Sequence, residues 1–266
     1  MGFLNFSLEL TWCSREKGSA MVRLLLGGGG QYEVEDRRVA LIDEIKSFLG
    51  KSIDRVLFIP YALNDYEAYI AKVIELGINA GYHFESIHTI KNSHEAVIKA
   101  QAIYVGGGNT FRLLNELYCK DLLPLIRKKI QDGTPYLGIS AGANVACPTI
   151  KTTNDMPIVE PPSFNALGLV PFQINPHYTD PELNSSHQGE TRERRIQEYF
   201  EMNDGTVVGM REGSIIRIEG SSAYLYGTAG ARVFQKGKSP EEYVPVNRLD
   251  FLLDSIPLAR LTPGIK

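Results

Sequence analysis

An α/β fold with a mostly parallel sheet flanked by helices is predicted for this chain by three observations. Short apolar runs alternate with helix-period stretches through the N-terminal half, the runs end in glycine or proline, and no repeat or long linker divides the sequence. Strands buried on both faces read as continuous apolar runs, and parallel neighbours need crossover helices. The alternation therefore has one economical solution.

Residues 21–26 form the first apolar run, which breaks into four glycines at 27–30. The stretch VEDRRVALIDEIKSFLG follows, with Val39, Leu41, Ile42, Ile45, Phe48 and Leu49 on one helical face. A strand over 56–59 stops at Pro60. A helix is predicted over 65–80, a strand over 84–90, a short helix near Glu95 and a strand over 102–105. Helices over 109–118 and 122–131 lead to a strand at 135–139, which runs straight into SAGAN. Beyond Asn144 proline and glycine become frequent: a strand-like segment at 170–174, a polar stretch at 175–190, a helix at 193–202, and short strands at 206–209, 215–218 and 223–226. Residues 1–20 read as an N-terminal extension and 21–266 as a single α/β domain.

The charge balance, 28 Lys and Arg against 31 Asp and Glu, leaves a formal net charge of -3 without a basic run. Nucleic acid and anionic membrane are therefore unexpected partners. Three scattered cysteines form neither a disulfide framework nor a zinc-binding pair, a usage that fits a reducing compartment. Glu9 interrupts the first apolar stretch and no basic segment precedes it. No run approaches the roughly 18 apolar residues of a spanning helix. A cytoplasmic protein is expected.

Gly138-Ile139-Ser140-Ala141-Gly142 matches G-x-S-x-G, in which serine sits on a strained strand-to-helix turn. The bare pentapeptide is weak evidence; the strand before it and the small-residue helix start after it make Ser140 a candidate nucleophile. A serine hydroxyl needs a base. Of five histidines, His83, His88 and His94 lie upstream in packing or surface positions. His177, after the strand-like 170–174, is the first choice and His187 the second. Asp155 and Glu212 are the two candidates for the carboxylate that would orient the imidazole. A second glycine cluster, VGGGNT at 105–110, also follows a strand. Phe111 stands where a dinucleotide fingerprint needs glycine, so the better reading is an oxyanion hole made by Gly107 or Gly108 with Ala141, against a plain βα turn.

The runs VGGGNTFRLL, GISAGANVACPTIKTTNDMPIV, INPHY and GETRERRI closely resemble peptidase E, the α-aspartyl dipeptidase family, over a span from about residue 24 to about residue 234. The resemblance implies a flavodoxin-like fold related to class I glutamine amidotransferases, with serine in place of cysteine. It also implies an exopeptidase acting on dipeptides that begin with L-aspartate, without metal or cofactor. The family's nucleophile falls on Ser140, its histidine on His177, and its carboxylate on Asp155 or Glu212. Such a site must neutralise an aspartyl carboxylate and accept a free amine. Arg192 is the candidate for the first, against a solvent-facing helix residue; Asn109, Asn154 and Asp155 are candidates for the second. The segment 180–188 departs most from the family motifs. An esterase or amidase of cyanophycinase-like type, or a non-catalytic binding domain, would share the fold; a monomer or homodimer is expected.

Overall fold

The computed structural model describes residues 21–181 and 190–254. Its elements, in chain order, are β1 (Arg23–Gly27), α1 (Glu35–Leu49), β2 (Arg55–Ile59), α2 (Tyr66–Glu75), β3 (His83–Ser86), α3 (Ser93–Lys99), β4 (Ile103–Val105), α4 (Thr110–Cys119), α5 (Leu123–Gln131), β5 (Tyr136–Ile139) and α6 (Ala141–Ala146). After these come β6 (Gln173–Asn175), α7 (Arg192–Met202), β7 (Thr206–Met210), β8 (Ser214–Glu219), β9 (Ser222–Gly227), β10 (Ala231–Gln235) and β11 (Glu241–Tyr243). Seven strands form one sheet in the order β3-β2-β4-β5-β1-β8-β9. Its first five strands are parallel, while β8 and β9 are added antiparallel.

Alternate side chains of the central strands enter two separate cores, which is why those strands read as unbroken apolar runs. Leu24, Leu26, Leu57, Ile59, Ile103 and Val105 pack on one face with Leu113, Leu117, Ile126 and Ile130 from α4 and α5. Leu25, Val56, Phe58, Tyr104 and Leu137 face the other way, against Leu41, Ile45 and Phe48 of α1 and Val73 of α2. Each fully buried side chain of this kind contributes roughly 1.5–3 kcal/mol of transfer free energy. Among the described residues, four of the seven α-helices start where a side chain provides a cap. Side chains of Asp65, Asn92, Asn109 and Thr191 accept the N–H three residues on, at α2, α3, α4 and α7.

The structure departs from the sequence reading in three places. Helix α2 ends at Glu75, because Gly77 turns the chain at φ 70°. Strand β3 ends at Ser86 and a 3-10 turn, Ile87–Thr89, replaces its expected continuation. The late strands do not all join the main sheet: β7 pairs with β6, β10 and β11 in a second sheet ordered β11-β10-β7-β6. The expectation for residues 1–20 lies outside the described residues. Among the described residues, no helix is long and apolar enough to cross a membrane.

Candidate active site

Strand β5 delivers Ser140 at φ 53° and ψ -108°, and α6 begins at the next residue. Non-glycine residues pay roughly 1–3 kcal/mol for such backbone, so the surroundings must fix it. They do so through the Ser140 N–H, which donates to Gly27 O at 2.9 Å, and Ser140 O, which accepts from Asn144 N at 2.9 Å. The glycines of the pentapeptide are steric requirements. A Cβ on Gly142 would stand 2.1 Å from Val105 O, so any larger residue would push α6 off β4.

His177 follows β6 and also has positive φ, 52°. Its N–H donates to Gly28 O at 2.8 Å and the next N–H, of Tyr178, to Met210 O at 3.0 Å. The imidazole Nε2 lies 2.8 Å from Ser140 Oγ, and Nδ1 lies 3.0 Å from Glu212 Oε1. A carboxylate only accepts, so Nδ1 carries the proton there and Nε2 is left to accept from the serine hydroxyl. Glu212 sits on the Arg211–Gly213 connection between β7 and β8, hence where the two sheets join. Its second oxygen, Oε2, accepts from Arg37 Nη1 of α1 at 2.6 Å.

The hydrogen bond from His177, and then that from Arg37, hold the Glu212 carboxyl below the usual carboxylate range against the opposing effect of burial. A carboxylate depressed in this way stabilises the fold above its unfolded value of roughly 4.3, and loses that contribution as pH falls through the lower folded value. Between pH 5 and 8 Glu212 therefore stays ionised.

Asp155, the other candidate carboxylate, makes no hydrogen bond or ion pair with His177. Its Oδ2 accepts from Thr110 N at 2.7 Å, Thr110 Oγ1 at 2.6 Å and Thr153 Oγ1 at 3.1 Å, so it braces the glycine turn at the start of α4. Asn109 is consumed by the same scaffold: Oδ1 caps α4 and Nδ2 donates to Met156 O at 2.9 Å. Asn154 is engaged too, donating to Pro176 O at 2.7 Å and accepting from Asn175 Nδ2 at 3.0 Å. Gly107 abuts the nucleophile, since a Cβ there would lie 3.3 Å from Ser140 Cβ. Its N–H is directed to the Tyr69 hydroxyl. Among the described residues the N–H groups of Gly108 and Ala141 have no acceptor. Arg192 opens α7 half-buried and, among the described residues, without a carboxylate bonded to it. Burial and Arg195 push its guanidinium down from its ordinary value, and Asp155 pulls it back up. His187 lies outside the described residues.

Two elements escaped the sequence reading. The glycines at 27–30 offer backbone acceptors to Ser140 and His177 and clear space for the side chains around them. A Cβ on Gly29, at φ 99°, would lie 2.3 Å from His177 Cε1, and one on Gly30 would lie 2.6 Å from the Glu212 carboxyl carbon. Arg37 was hidden in a helix read only for its apolar face. Its signal is a cation in the first turn of α1, at the positive end of the helix dipole, where a basic residue is unfavourable without an acidic partner.

A hydroxyl on a strained elbow, an imidazole bonded to it and a carboxylate behind the imidazole, each just beyond the C-terminal end of a strand with a parallel neighbour, are the arrangement of a serine hydrolase. The peptidase family S51 model matches residues 24–226, and the chain belongs to that family. It is 50% identical over 214 residues to peptidase E of Nostoc sp., covering 79% of this chain and 88% of the relative. To the probable alpha-aspartyl dipeptidase of Drosophila melanogaster it is 47% identical over 225 residues, 84% and 92% of the two chains. A crystal structure of a putative peptidase E protein from Listeria monocytogenes aligns with TM-score 0.61 and 26% identity, over 79% of this chain and all of that one. A peptidase from an acI-B1 actinobacterium shares the fold, with TM-score 0.63 and 20% identity over 86% and 97%.

Gly29→Ala is expected to push the His177 ring off Ser140 and lower kcat by about a hundredfold. The left-handed backbone costs only about 1–2 kcal/mol, so the melting temperature should fall by a few degrees. Steady-state kinetics beside thermal unfolding checks both; unchanged kcat would remove the steric role of this glycine.

Proposed function

We propose that the protein is a serine exopeptidase that hydrolyses dipeptides with an N-terminal L-aspartate. The observation that carries the reading is the line from Ser140 Oγ through the His177 ring to Glu212, at 2.8 and 3.0 Å. The names borne by its relatives, peptidase E and probable alpha-aspartyl dipeptidase, support the substrate class.

In this reading His177 Nε2 takes the Ser140 proton as Oγ attacks the aspartyl carbonyl. Negative charge on the carbonyl oxygen is met by the N–H groups of Ala141 and Gly108, which have no acceptor among the described residues. Gly107, which abuts Ser140 and whose N–H is turned toward the Tyr69 hydroxyl, would hold the turn rather than donate. His177 then passes its proton to the departing amine. Water, deprotonated by the same ring, releases aspartate from the acyl-enzyme. Glu212 keeps Nδ1 protonated and stabilises the imidazolium throughout.

Arg192 would read the aspartyl side chain, because it is a half-buried guanidinium that no described carboxylate bonds. Asp155 would take the substrate's ammonium on Oδ1, the oxygen that the scaffold leaves free, while Asn109 and Asn154 act through the loops they hold. Arg192→Ala should lower kcat/KM for Asp-Xaa by roughly 10²-fold, since one partner of a partly desolvated charge pair is lost. Asn-Xaa should be nearly unaffected. A preference for Asp over Asn that survives the substitution would sink this assignment. The reaction itself is tested by release of the second residue from Asp-Xaa, Asn-Xaa, Glu-Xaa and N-acetylated Asp-Xaa; cleavage of the acetylated substrate would contradict an exopeptidase that needs the free amine. A cytoplasmic location is part of the proposal, supported by cysteines that stay free at positions 119 and 147.

A further inference from the structure

The Glu212 carboxylate has two oxygens and two partners. Oε1 faces His177 Nδ1 and Oε2 faces Arg37 Nη1, at 3.0 and 2.6 Å. The Arg37 stem lies along the turn that carries Glu212, close enough that a Cβ on Gly213 would stand 3.0 Å from its Cγ. The other charged groups nearby are committed elsewhere. Arg211, next to Glu212 in the chain, forks onto Asp180 and Glu242. Arg38, next to Arg37, donates to Tyr32 O. Among the described residues, His177 and Arg37 are thus the two charged or titratable groups bonded to Glu212, and a carboxylate held at both oxygens cannot rotate without breaking one bond.

We propose that Arg37 is a positioning residue of the hydrolytic site, fixing Glu212 so that its inner oxygen stays on His177 and setting, through its charge, the acidity at which His177 becomes protonated. The proposal rests on the reading of Ser140, His177 and Glu212 given above. Two effects follow. Loss of the outer hydrogen bond lets the carboxylate swing, and the imidazolium formed at the transition state loses its alignment. Loss of a positive charge one carboxylate away also makes the imidazolium easier to form at rest, so the ring is inactivated at a higher pH.

The test uses the full chain with aspartyl p-nitroanilide as substrate, following kcat, KM and the pH dependence of kcat/KM in wild type, Arg37→Met, Arg37→Lys, Glu212→Gln and the double variant Arg37→Met with Glu212→Gln. Arg37→Met is expected to lower kcat about five- to tenfold with KM within about twofold, and to move the acid limb upward by about half a pH unit to one unit. Arg37→Lys keeps the charge without the fork, so it should restore the limb while kcat stays intermediate. In the Glu212→Gln background Arg37→Met should change nothing further. An unmoved or lowered limb, or an equal loss in both backgrounds, overturns the role of Arg37. Wild-type turnover by Glu212→Gln alone would instead overturn the triad reading on which it rests. A melting temperature for each variant separates these effects from unfolding.

Discussion

Ser140→Ala is expected to lower kcat on an aspartyl dipeptide by roughly four to six orders of magnitude while the dipeptide still binds within a few-fold of wild type. The size follows from the division of labour. The hydroxyl is the atom that becomes bonded to the carbonyl carbon, and with it gone His177 and Glu212 have no proton to move. Groups assigned to binding, Arg192 and Asp155, are untouched. The backbone should hold as well, because the strained elbow is fixed by main-chain bonds to Gly27 and Asn144 rather than by the hydroxyl. Calorimetric binding beside single-turnover kinetics checks the pair of outcomes. Activity retained without the hydroxyl would mean that the chemistry runs through some other nucleophile.

Glu212→Gln should cost roughly 10³–10⁴ in kcat, and Asp155→Asn far less. A glutamine can present its NH₂ to Nδ1, which then has to accept; the proton moves to Nε2 and the ring cannot take one from Ser140. Asparagine at 155 keeps an oxygen for the Thr110 N–H and hydroxyl, so the glycine turn should survive, and the main effect should be a higher KM from the missing charge toward the substrate's amine. Parallel kinetics on the two variants settles the assignment: a kcat collapse in Asp155→Asn with Glu212→Gln near wild type would reverse it.

What was legible in the sequence was whatever short-range pattern determines. The parallel core could be read because each buried strand shows its two-sided burial as an apolar run. Ser140 could be read because an elbow has a fixed local signature, and His177 because it follows a strand in the right half of the chain. The carboxylate could not be chosen, since Asp155 and Glu212 both lie in loops and the difference is made by long-range pairing: β7 joins the small sheet, β8 the large one, and the turn between them brings Glu212 to the imidazole. That small sheet itself was only partly legible. Its strands β6 and β11 are three residues each, and the Glu-Glu-Tyr of β11 has no apolar alternation to announce a strand. Arg37 belongs to the same class of omission, a contact across 175 positions of sequence.

The glycines at 27–30 carry no functional group, yet they are as exposed to inherited damage as the residues that do the chemistry. Every missense change of a glycine codon adds a Cβ, and at these four sites that atom would fall 2.6, 2.6, 2.3 and 2.6 Å from Ile139, Arg211, His177 and Glu212. A genetic screen for inactive alleles should therefore gather substitutions at residues 27–30, in enzymes whose serine, histidine and glutamate are all still encoded.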